Sequence, residues 1–179
     1  MLEVSDSAVL MLSLLLFFDS EGLLPVFLMA AALHELGHLI ALRACGGRLR
    51  RLHISALGGR MDCTLPEGRA RRFCIHAAGA AMNLAAFVFF RLLGWPLAAG
   101  ANFVLLALNL LPVCPLDGYA CLEELLDGRF QVPGRCLSAG FAALLLLFGT
   151  YIFCSGGGVS LAAIGVFLTF FSGKNLRKR

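Results

Sequence analysis

The sequence predicts an all-α polytopic membrane protein of about six transmembrane helices, with a small membrane-associated β-hairpin between the second and third. Three observations carry that prediction. Hydrophobic residues make up 59% of the 179 positions and the mean hydropathy is +0.85, well outside the roughly 45–50% apolar content of soluble domains. The apolar residues gather into runs at Ala8–Phe18, Leu23–Leu42, Ile75–Leu93, Trp95–Leu111, Leu137–Cys154 and Val159–Phe171. The basic residues, in turn, fall almost entirely on one side of a six-span path.

The first run is expected to be a retained helix, because Glu3 and Asp6 stand where a signal peptide would carry basic residues. Asp19 to Gly22 makes a short acidic turn, and Pro25 is tolerated in the first turn of the next helix, where few N–H groups have partners. Gly46-Gly47 then stops that helix. Leu52 to Thr64 alternates loosely around Gly58-Gly59, which reads as a hairpin turning at the glycines. Its open edge could accept an extended peptide; the alternative is an ordinary cytoplasmic loop. The third run carries a small-residue stripe from Ala78 to Ala81 and then Asn83, whose amide needs a partner in a dry environment. The fourth ends at Asn109, with Pro112 and Pro115 breaking the helix before Asp117-Gly118. Leu122 to Leu126 reads as a short amphipathic helix ahead of Pro133-Gly134, and the last two runs read as packing helices. The whole chain, 1–179, is expected to form one domain with a core of about 23–118.

Orientation follows from charge. Arg43, Arg48, Arg50, Arg51, Arg60, Arg69, Arg71 and Arg72 lie between the second and third runs, and Arg129, Arg135 and the tail from Lys174 to Arg179 fall on the same side. The positive-inside rule then puts the chain in the cell membrane as a multi-pass protein with both termini cytoplasmic. The net charge of +4 is thus topological: these arginines flank helices, so no nucleic-acid partner is expected. Seven cysteines without a C-x-x-C pair exclude a cysteine-ligated zinc site of the usual spacing.

His34-Glu35-Leu36-Gly37-His38 lies within the second run. On a helix, His34 and His38 share a face and can hold one Zn2+, while Glu35 can take a proton from a water that the metal has acidified. Burying two imidazoles and a carboxylate at hydrocarbon depth costs several kcal/mol, and intramembrane ionisable groups are functional by default. The competing reading is a pair of core histidines bonded to backbone carbonyls. Asp117, delivered just past the broken helix, can supply a third ligand and leave a fourth position open; a solvated loop aspartate is the alternative. A membrane HExxH protease of another type would instead take a glutamate, Glu123 or Glu124, and a non-catalytic membrane scaffold could close a structural site with Cys114. His53 and His76 have no partner at ligand spacing.

The HELGH motif, the Gly79…Asn83 pair and the Asn109…Pro112…Pro115-Leu116-Asp117-Gly118 block together resemble the site-2 proteases, zinc metalloproteases that cut within or beside the membrane. The layout is similar to the subgroup of the stage IV sporulation protease, which processes a pro-sigma factor. That resemblance implies His34, His38 and Asp117 as zinc ligands, Glu35 as general base and Asn109 near the substrate carbonyl. It also implies the Leu52–Thr64 hairpin as the edge that receives a membrane-associated protein substrate, and a membrane-bound regulatory protein as a further partner. Sporulation-type members generally carry a C-terminal CBS domain, and this sequence stops at Arg179 before any such domain.

Overall fold

The computed structural model describes residues 2–6, 12–13, 16–17, 19, 22–55, 58–127, 131–155, 166 and 169. The elements in order are strand β1 (Leu2–Val4), helix α1 (Leu23–Ala44), strands β2 (Arg48–Ser55) and β3 (Gly58–Thr64), and helices α2 (Arg69–Leu92), α3 (Pro96–Asn109), α4 (Asp117–Leu125) and α5 (Gln131–Cys154). They divide into two compact units, Met1–Leu106 and Ala107–Arg179. The first and last apolar runs lie largely outside the described residues.

In the first unit, α1 begins where the Asp19 carboxylate accepts hydrogen bonds from the N–H groups of Leu23 and Leu24, both at 2.9 Å, covering two of the donors a helix start leaves without partners. It ends at Gly46, whose φ of +85° lets the chain turn left-handed while the Gly47 N–H returns to the Leu42 carbonyl at 2.8 Å. The 22 residues of α1 and 24 of α2 span about 33 and 36 Å at 1.5 Å per residue, enough to cross a bilayer core of roughly 30 Å. Both are apolar enough to do so. Their outward faces carry exposed Leu28, Leu36, Ile40, Leu84, Val88 and Phe89, a surface suited to lipid rather than to water. The protein is thus a membrane protein, and α1 and α2 are its two described spans.

The buried face of α2 runs Ile75, Gly79, Ala80, Asn83, Ala86 and Phe90, a three-to-four-residue repeat that sets one stripe against a neighbour. Small residues let that neighbour come close. A Cβ on Gly37 of α1 would sit 2.6 Å from the Ala78 carbonyl oxygen and 2.8 Å from the Met82 Cβ, so the two backbones meet where neither has a side chain to spare. Ala86, Phe90, Ala98 and Ala99 form the core between α2 and α3, with Val26 and Leu33 of α1 packed on it. Phe90 stacks on Trp95, centroids 5.8 Å apart, across the turn that joins α2 to α3.

The sheet departs from the expected hairpin in two respects. Gly58 and Gly59 are not the turn but the start of β3, paired with Ser55 and Ile54. β2 pairs with β3 from Arg48 to Ser55, apart from an irregularity between Leu49 and Arg51. β2 is also the central strand. β1 lies parallel to it, with Leu2 opposite Leu52 and Val4 opposite Ile54, so β2 is paired on both sides and the sheet's two edges are β1 and β3. Three residues from the far end of the chain give too short a pattern to read as a strand from sequence.

Two helix starts also move. α2 begins at Arg69, six positions ahead of its apolar run, because arginine and alanine are good helix formers whatever their polarity. α5 begins at Gln131, so Pro133 lies in its first turn, where the missing N–H costs little.

In the second unit, the chain leaves α3 through Pro112 and Pro115. The segment is held by the Val113 side chain, fully buried beside Ala142, and by the Cys114 N–H, which donates to the Ser138 hydroxyl at 3.0 Å. α4 starts at Asp117 itself rather than at Leu122. Gly118 allows this, since a Cβ there would collide with the Leu110 and Leu111 carbonyls.

Candidate metal centre

The expected pair, His34 and His38, come together on α1 with their rings edge to face at 4.7 Å between centroids. Their hydrogen bonds determine which nitrogen carries the proton. The His38 Nδ1 stands 2.7 Å from the Ile75 carbonyl oxygen. A carbonyl only accepts, so Nδ1 is the donor and Nε2 keeps its lone pair in the neutral ring. The His34 Nδ1 stands 2.6 Å from the Asn83 Oδ1, again an acceptor, so its Nε2 is likewise unprotonated.

The two Nε2 atoms are 3.1 Å apart. Two lone pairs at that distance repel, and neither ring has a second proton to place between them while both are neutral. An electrophile is what the arrangement is built for. Two nitrogens on one tetrahedral zinc, at the usual Zn–N length of ~2.0–2.1 Å, stand ~3.3 Å apart. The residues present therefore fit a divalent metal.

Gly79 completes the cradle. A Cβ there would lie 2.6 Å from the His34 Cε1, 2.7 Å from its Nε2 and closer still to the His38 Nε2. The imidazoles pack on bare α2 backbone. Asn83, one turn further along the same face, is fully buried; its Nδ2 donates to the Ala30 carbonyl at 3.2 Å and to the Asn102 Oδ1 at 2.9 Å. Asn102 is not singled out by the sequence analysis, although an amide inside an apolar run is the same signal that marks Asn83.

The remaining expected site residues are distributed as follows. Glu35, half-buried, adjoins His34 on α1. Asn109 and Asp117 belong to the second unit, at the end of α3 and the first position of α4. In the same short helix, burial and, secondarily, the Asp117 carboxylate push the Cys121 thiol up to about 11. That thiol stays protonated at neutral pH.

No family model matches the sequence, and no curated protein matches it. A solved structure, the site-2 protease from Methanocaldococcus jannaschii, matches over 99% of this chain and 91% of that one with a TM-score of 0.71 and 19% sequence identity. The chain therefore has the fold of a site-2 protease.

The close approach at Gly79 separates helix stability from metal binding. Replacing Gly79 with alanine raises intrinsic helix propensity by about 1 kcal/mol, yet puts a methyl group where the ring nitrogens need space. Elemental analysis of Gly79→Ala should show metal content reduced to background, in protein whose circular dichroism in detergent still shows the wild-type helix content. A variant with full metal content would refute the cradle.

Proposed function

We propose that the protein is a zinc-dependent intramembrane endopeptidase that cuts a membrane-associated or single-span protein near the cytoplasmic face. The observation that carries this reading is the pair of Nε2 atoms 3.1 Å apart on two rings whose Nδ1 atoms both face acceptors, a donor set apt for a metal. The fold likeness supports it. His34 and His38 would hold the ion together with Asp117 as third ligand, leaving one position open for substrate or water. When bound there, the ion supplies Lewis acidity that polarises a peptide carbonyl and makes water nucleophilic near neutral pH.

The chain's own groups do the rest. Glu35 takes a proton from the attacking water and delivers it to the leaving amine nitrogen, so the scissile C–N bond breaks as a C–O bond forms. Asn109 offers its amide N–H to the carbonyl oxygen as charge gathers there. The peptide must be extended, because a helix ties up its carbonyls in hydrogen bonds. A sporulation pro-sigma factor is the narrower form of this substrate, supported by the motif layout alone.

Purified protein should hold about one zinc per chain. His34→Ala and His38→Ala should lose it, while Glu35→Gln should keep it and lower cleavage of a co-expressed substrate by a factor on the order of 10²–10⁴, the usual contribution of a general base. A scaffold with a structural metal would keep its function in Glu35→Gln. Retention of zinc in both histidine variants would end the proposal.

We also propose that Arg43 to Arg72 faces the cytoplasm. Arg69, Arg71 and Arg72 open α2, where positive charge opposes the helix dipole by a few tenths of a kcal/mol each; a negatively charged cytoplasmic leaflet offsets that cost. An engineered cysteine at Arg71 should react with a membrane-impermeant reagent only in inverted vesicles. Labelling from outside intact cells would reverse the orientation.

Substrate would join the sheet as a strand on β3, the longer of the two edge strands among the described residues. Main-chain hydrogen bonds of about 1 kcal/mol each would hold it. Proline scanning over Arg60 to Cys63 should lower cleavage about tenfold at alternate positions with zinc content unchanged, and alanine at the same positions should be nearly silent. Equal effects of proline and alanine would rule out strand addition.

A further inference from the structure

The structure assigns to Asn102 the role of a positioning residue that fixes the protonation pattern of His34 from one helix further away. The argument begins at a backbone carbonyl. The Asn102 Nδ2 donates to the Ala98 oxygen at 2.9 Å; because that oxygen can only accept, the Asn102 amide has one orientation, and its Oδ1 faces Asn83. An oxygen facing Asn83 requires a donor in return. The Asn83 Nδ2 takes that place at 2.9 Å, with the Ala30 carbonyl as its second acceptor. This turns the Asn83 Oδ1 toward His34, 2.6 Å from its Nδ1. In the neutral ring the proton must then lie on Nδ1, with the Nε2 lone pair on the His38 side.

Each link has one permitted direction, and the direction is set by two acceptors that cannot reverse, Ala98 O and Ala30 O. Both asparagines are fully buried, so no bulk water competes for the amides and a flipped amide would leave buried groups unpaired. His38 needs no such chain, since its Nδ1 reaches the Ile75 carbonyl directly. The two rings are thus set by independent means, one by backbone and one by a two-amide relay. The role rests on the proposed function only in that a bare Nε2 serves a metal; the relay itself is read from hydrogen bonds.

The test uses the metal-free full-length protein in detergent, where ¹⁵N chemical shifts and two-bond ¹⁵N–¹H couplings distinguish the two imidazole tautomers. Wild type should show His34 and His38 protonated at Nδ1. In Asn102→Leu, which fills the space but removes both polar atoms, the His34 signal should change to a mixture of tautomers while that of His38 stays as it was, and zinc affinity measured against a competing chelator should fall by about tenfold or more. Asn102→Ser keeps a hydroxyl that can donate to the Ala98 carbonyl and accept from Asn83, and it should restore most of the wild-type pattern. If the His38 signal is also lost in Asn102→Leu, the chain has not folded, and Asn102→Ala is judged by the same criterion. An unaltered His34 tautomer in a folded Leu or Ala variant overturns the relay. Wild type that shows the expected tautomers but binds no zinc overturns the metalloprotease reading and leaves the relay standing.

Discussion

The approach of two unprotonated imidazole nitrogens, His34 Nε2 and His38 Nε2, is the constraint around which the first unit is built. A neutral ring can choose either nitrogen for its proton, and here both choices are made by groups on α2: the Ile75 carbonyl for one ring, the Asn83 amide for the other. The apolar stripe of α2 is accordingly interrupted where the site needs it, by Gly79 for space and by Asn83 for direction. The Gly37 contact with Ala78 brings α1 close enough for both to act. Helix packing and site chemistry are thus one feature here, since widening the α1–α2 gap would loosen the proton placement as well as the core.

The surroundings strengthen that arrangement. In an apolar medium an unpaired amide or imidazole N–H costs free energy on the order of several kcal/mol, and no described buried polar side-chain atom lacks a partner. The exposed leucines and phenylalanines on the outer faces of α1 and α2 belong with lipid, and they keep water from competing for the inner hydrogen bonds. The arginines at the start of α2 mark where that apolar zone stops.

What was legible in the sequence is what repeats or what offends. The HELGH helix, the small-residue face of α2 and the hairpin all announce themselves by periodicity, and Asn83 by being polar in an apolar run. Less could be read where the determinant is remote. β1 pairs with a strand some fifty positions away, and three residues carry no period. The start of α4 at Asp117 depends on Gly118 having no side chain to meet the Leu110 and Leu111 carbonyls, a fit between segments rather than a local preference. Asn102 offered the right signal, yet its place under Asn83 depends on how α3 folds back after Trp95, which only the packed core determines.

The buried amide seam also bears on how the chain is made. Asn83 on α2 draws on the Ala30 carbonyl of α1 and on Asn102 of α3, so none of the three helices can satisfy it in isolation. Inserted singly into the bilayer, α2 would carry a fully polar carboxamide facing hydrocarbon, held back from lipid only by its own backbone. Sequential insertion thus leaves the Asn83 amide without its full set of partners until the third helix arrives, and the order in which the helices enter the bilayer fixes how long that group faces hydrocarbon.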